Sequence, residues 1–198
     1  MAQKKQKDTL ETRRAKIIDA ALSLAPAFGW NAVKLSDIAK EAGISAAELR
    51  DLIEDKTDIL LLLGRQIDKQ VIAAMEGCAP SDYGSVKEHL FDVMMERFEA
   101  LNERREGVLA ILDSIACDPA QLVIACPHLC YSMRWMLDLA GFETSGWRGA
   151  LRVAGLTGLY VKLLRTWKRD ESADLAQLMA ELDRSLSRVD SAARSLGL

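Results

Sequence analysis

Cys126, His128 and Cys130 stand close together, and Cys117 lies nine residues upstream. Thiolates and an imidazole at short spacing are the raw material of a zinc site or a redox pair. Zinc sites space their ligands as C-x2–4-C and commonly add a second pair, and the chain offers none. On a helix, 126 and 130 share a face while 128 points away. The spacing therefore predicts no metal, and these cysteines, with Cys78, read as reduced thiols, buried where they line a helix. His89, the other histidine, stands between Glu88 and Leu90 and is expected to be partly exposed. No Ser/His/Asp set, Gly-rich phosphate loop or carboxylate pair with a base is present, so the sequence predicts neither an enzyme nor a cofactor.

Charge is the other chemistry on offer. The 198 residues carry a net charge of −3, so the chain as a whole is no polycation. Residues 1–16 hold Lys4, Lys5, Lys7, Arg13, Arg14 and Lys16 against Asp8 and Glu11. Residues 17–58 reverse this, with Lys34, Lys40, Arg50 and Lys56 set against eight acids. Nucleic-acid binding then has to come from a local patch, from the basic arm, or from a surface made by two chains. The stretch GISAAELRDLIEDK (43–56) poses the sharpest question, because it looks like half of a helix-turn-helix yet carries Glu48, Asp51, Glu54 and Asp55.

The elements that position these residues are helical. Four prolines and twelve glycines punctuate the chain, and alternating β-branched runs are missing, so the fold class is all-α, with about nine helices. Residues 1–7 read as disordered and a first helix starts at Thr9, with Ile17, Ala20, Ala21, Leu24 and Ala25 facing inward, and ends near Pro26 and Gly29. Ser36 is the expected N-cap of the second helix, and Gly43 ends it. Ser45 and Glu48 form a capping box for the third, whose buried stripe is Leu49, Leu52 and Ile53. Asp55 or Thr57 opens a long fourth helix. Asp118-Pro119 starts another that Pro127 must kink or split. No apolar run reaches the roughly 18 residues of a membrane span, and the start lacks a signal-peptide segment, so the expected location is cytoplasmic.

Two short helices joined by a tight glycine turn, "SDIAKEAGIS", then a capped third helix and a long fourth, resemble the Tet repressor family over residues 11–63. That resemblance implies a three-helix DNA-binding domain over 1–55 with a basic arm, and a ligand-binding and dimerising body over 56–198. It implies a homodimer on a palindromic double-stranded operator, most simply a repressor. Where the family often runs Gly-Thr-Leu-Tyr-x-His-Phe, this chain has Ala47, Glu48, Leu49, Arg50, Asp51, Leu52 and Ile53. The residues so placed at DNA are Lys34, Ser36, Ser45, Ala46, Ala47 and Arg50, with Arg50 standing in for the phosphate-touching Tyr and Lys56 matching a lysine that reaches the DNA backbone. Glu48, as third residue of a capping box, need not face DNA.

In the body, Phe91, Met94, Met95, Phe98, Met133, Trp135 and Met136 are adaptable apolar side chains of the kind that line a pocket for a small apolar ligand. The helix over 145–169 is apolar or small nearly all round, which requires cover on two sides. A second copy is the natural cover, on Trp147, Leu151, Ala154, Gly155, Gly158 and Leu159. The stretch 146–186, ending "ELDRSL", also resembles the Tet-repressor-like lipid-binding accessory family of ubiquinone biosynthesis. That second resemblance implies an alternative, a relative that has given up DNA for an isoprenoid or quinone-type lipid or a protein partner.

Overall fold

A computed structural model describes residues 2–78, 80–116 and 118–195. Among them are nine α-helices and no strand: α1 Ala2–Phe28, α2 Leu35–Glu41, α3 Ala46–Arg50, α4 Lys56–Ala74, α5 Val86–Asn102, α6 Arg105–Ala116, α7 Pro119–Leu139, α8 Gly146–Arg169 and α9 Ala176–Ser195. The all-helical reading holds. No helix among the described residues is long and apolar enough to cross a membrane.

Several boundaries differ from the sequence expectation, each for a local reason. α1 starts at Ala2 rather than Thr9 and continues past Pro26 to Phe28. A proline deletes one helical N–H, and the helix survives that loss until Gly29, at φ +78, donates back to the Ala25 carbonyl at 2.9 Å and closes it. Pro127 likewise does not split α7, which is helical from Pro119 to Leu139. The N-cap of α2 is Lys34, not Ser36. The Asp37 carboxylate, three residues on, accepts from the Lys34 amide at 3.1 Å, which is the N3 half of a capping box.

The chain divides into two compact units. The first comprises Met1–Gln66 with Leu101–Cys126. Its core is built on Ile17, Ala21, Trp30, Ile38, Leu49, Ile53 and Ile59, all buried. α6 lies directly on α1, and Gly107 is the reason it can. A Cβ at that position would sit 2.4 Å from the Leu22 carbonyl oxygen.

The second unit comprises Ile67–Ala100 with Pro127–Leu198. Phe98 packs against Tyr160 and Trp167, with ring centroids 5.4 and 6.5 Å away. Gly149 admits the Thr144 backbone, where a Cβ would come within 2.1 Å. Between α8 and α9 the buried Asp170 accepts from the Leu178 amide at 2.8 Å and the Ser172 amide at 3.0 Å. Burial alone would raise this carboxyl's pKa, and the donors outweigh it, so the group titrates below the usual aspartate value.

Candidate nucleic-acid interface

The turn between α2 and α3 is set by Gly43 at φ +65, a conformation in which a side chain would be strained. The Ser45 hydroxyl accepts from the Glu48 amide at 3.2 Å and donates to the Glu48 carboxylate at 2.9 Å, and that carboxylate accepts from the Ser45 amide at 3.0 Å. The expected capping box is therefore present. Arg13 of α1 adds an ion pair to Glu48 at 3.0 Å. The Ser45 amide and hydroxyl, then Arg13, hold the Glu48 carboxyl below its ordinary pKa. The first acid of the questionable stretch is thus spent on the fold and neutralised from behind.

Two more acids serve as caps. Asp55 accepts from the Thr57 and Asp58 amides at 2.6 and 3.3 Å and so opens α4, as expected. Asp58 accepts from the Glu54 amide at 2.6 Å. Asp51 and Glu54 lie exposed beside Arg50.

With Leu49 and Ile53 buried, the opposite face of α3 is open. Ser45, Ala46, Ala47 and Arg50 are all exposed, as are Lys34 at the N-cap of α2 and Ser36 within it. The small side chains at 46 and 47 leave the helix surface low, so that another surface can approach closely. Arg50 folds back to donate to the Glu54 carbonyl at 2.7 Å. Leu52, expected in the buried stripe, is only half-buried, because α3 ends at Arg50 and 51–52 follow as a turn.

Lys56 is placed differently from its expected role at the DNA backbone. Its ammonium donates to the carbonyls of Trp30, Val33 and Asn31 at 2.5, 3.1 and 3.4 Å and lies 4.7 Å from the Trp30 ring centroid. Burial lowers its pKa. Three protons meet three acceptors, so Lys56 ties the α1–α2 connection to the start of α4. The side chains of Lys4, Lys5 and Lys7 lie outside the described residues, as does Cys117.

The expected pocket residues separate into two groups. Met94, Phe98, Met133 and Met136 are at 0 % exposure, Met95 is buried and Phe91 half-buried. Trp135, by contrast, is 47 % exposed and lies edge-on to exposed Tyr131, so it lines no interior. Helical spacing explains the difference: 133, 136 and 137 belong to the inner stripe of α7, and 131 and 135 fall outside it. The sequence reading missed the polar partners of the inner group, Asp68, Arg97, Ser132 and Tyr160. Arg97 and Asp68 form an ion pair, and Ser132 donates to Asp68 at 2.6 Å.

His89 is also not where it was expected. It is fully buried and stacked on Tyr83 at 4.2 Å. Cys78 and Cys126 are exposed and Cys130 is partly so, which corrects the expectation of buried thiols. No cluster of three metal-ligating side chains occurs among the described residues.

Along α8, Leu156, Tyr160, Leu163 and Trp167 are buried, and the face expected to pair lies outward. Trp147 and Leu151 are 69 % and 52 % exposed, Ala154, Gly155 and Gly158 are exposed, and Leu159 is half-buried. Space is open around both glycines.

Residues 17–60 match the family model of bacterial regulatory proteins of the tetR family. No curated protein matches the chain. Among solved structures, the TetR transcriptional regulator from Nitrosomonas europaea ATCC 19718 is similar at TM-score 0.72 and 23% identity, covering 88% of this chain and 96% of that one. A TetR transcriptional regulator from Rhodococcus sp. RHA1 is similar at TM-score 0.63 and 19% identity over the same shares. Residues 17–60 therefore carry the tetR-family N-terminal domain, on a chain with the fold of TetR transcriptional regulators.

Proposed function

We propose that the chain is a DNA-binding transcriptional regulator, acting in the cytoplasm as a homodimer and most simply as a repressor. The observation that carries this is the open face of α3. Ser45, Ala46, Ala47 and Arg50 stand exposed on a helix of the matched domain, while Glu48, the acid nearest its start, is turned into a cap and an ion pair. Arg50 gives up one bond, to the Glu54 carbonyl, to reach a phosphate or a guanine edge. Lys34 and the basic residues of α1 supply further phosphate neutralisation, and two heads on two half-sites multiply a weak single contact.

Dimerisation is supported by the exposed apolar and small face of α8, whose glycines leave room for a second helix. An apolar ligand in the body would shift the balance between DNA-competent and incompetent states, provided that it binds one of them better.

A second reading, a relative that no longer binds DNA, is favoured by two observations. Lys56 spends its charge inside the fold, and Asp51 and Glu54 lie exposed beside Arg50.

Selection from random duplexes at low salt separates the two. Enrichment of a palindromic site by the purified protein, lost in Arg50→Ala, is the expected result. Weak binding without sequence preference, vanishing at moderate salt, overturns the regulator reading in favour of the second.

A further inference from the structure

Arg97 is 3 % exposed on α5, and its charge is unusual company for its neighbours. Met94, Phe98, Met133 and Met136, all fully buried, belong to the same unit's core. Its guanidinium pairs with Asp68 of α4 through Nη1 and lies over the Tyr160 ring, 5.1 Å from the centroid. Its Nε is buried with no hydrogen-bond partner among the described residues. Burial opposes the charge, but Tyr160 and Asp68 outweigh it, so Arg97 stays protonated.

Packing gives no reason for this arrangement. A buried ion pair does no better on average than apolar side chains of the same size. An orphaned donor inside the fold is a further cost. A guanidinium is, however, the group best shaped to take two oxygens of one carboxylate, with parallel N–H donors in a fixed fork. Here the fork is only part used.

We propose that Arg97 is the anion-recognising centre of a ligand site in the body, and that the ligand is an apolar molecule ending in a carboxylate. One ligand oxygen accepts from Nε. The other accepts from Nη2, whose N–H runs parallel to that of Nε. Asp68, held also by Ser132, stays on Nη1 and is the internal counter-charge that Arg97 relies on when no ligand is bound. The methionines of the same unit's core are flexible enough for an apolar tail to make its own room among them. This deepens the reading of the body as the ligand-receiving half and rests on it. What it adds is the ligand's charge and the residue that reads it.

Calorimetric titration of the full chain, without DNA, tests the proposal with decanoate, 1-naphthoate and decanol as probes below their aggregation limits. At least one acid is expected to saturate a single site, with decanol at least tenfold weaker. Arg97→Met should lose at least tenfold in acid affinity, Arg97→Lys should recover part of it, and Asp68→Asn should bind several-fold tighter than the parent. If Arg97→Met does not fold, the acid–alcohol comparison and Asp68→Asn decide alone. Equal binding of acid and alcohol, undiminished binding by a folded Arg97→Met, or no saturable binding of either acid overturns the proposal. Because DNA is absent, a chain that selects no operator can pass this test, and one that selects an operator can fail it.

Discussion

The Lys56 ammonium lies 2.5 Å from the carbonyl oxygen of Trp30, a residue twenty-six positions earlier that is itself fully buried. A lysine in this place is expected from its family resemblance to touch DNA, and here it holds the domain together. Replacing it by methionine leaves up to three carbonyls without their donor. The expected loss is about 2 kcal/mol of stability in urea unfolding, on the scale of hydrogen bonds to charged groups. Arginine should not restore it, because a planar fork cannot point at three converging carbonyls. A change below about 0.5 kcal/mol, the usual range of an uninvolved surface site, would show that the tie contributes nothing.

Glu48 makes the start of α3 sensitive to acid. Its folded pKa is depressed by the Ser45 amide, the Ser45 hydroxyl and Arg13. A depressed carboxyl stabilises the fold above its unfolded pKa and loses that contribution as pH falls through the folded one. The stability gap between the parent and Glu48→Gln should therefore be constant near neutrality and close below the ordinary glutamate value. A gap that is unchanged in acid would mean that the charge plays no part.

The glycines of the two units predict opposite outcomes. Gly107→Ala drives a methyl against the Leu22 backbone, with an expected cost of about 1–3 kcal/mol, typical of overpacking, read as a lowered melting temperature. Gly158→Leu meets open space within the chain. It should leave the fold of the protomer intact and shift a dimer toward monomer in sedimentation. A Gly158→Leu protein that sediments like the parent would remove that face of α8 from the interface.

Lys34 separates phosphate contact from base contact. It is exposed at the N-cap of α2. In a DNA-bound state Lys34→Ala should weaken all sequences alike and reduce the slope of log affinity against log salt by about 0.9, one neutralised phosphate. A slope that stays put would place Lys34 off the DNA.

Much of the head was legible because its signals are local. Ser45, Glu48, Gly43 and Asp55 each act within three residues, and each sits where a short window places it. The failures come from contacts that a window cannot hold. Lys56 finds carbonyls more than twenty residues away, and Arg13 meets Glu48 from another helix. In the body, Met94 and Phe98 were legible as inward from the apolar period, and Met133 and Met136 from their residue type. That rule has no place for Arg97 and Asp68, because a charge reads as surface until its buried partner is known. His89 was misplaced for the same reason. Trp135 shows the converse, an apolar residue counted inward that a helix turned out.

Gly107 joins two stretches of chain that are far apart in synthesis. α1 precedes α6 in the chain, yet the surface that covers it belongs to α6, some eighty residues later. The unit that carries α2 and α3 therefore cannot reach its final state before residues 101–126 are available to it. Its N-terminal helix must wait, with Leu22 uncovered, until residues 105–116 have emerged. A fragment cut after α4 would be caught permanently at that stage. The unit that carries α2 and α3 is thus completed only by residues that follow part of the other unit in the chain.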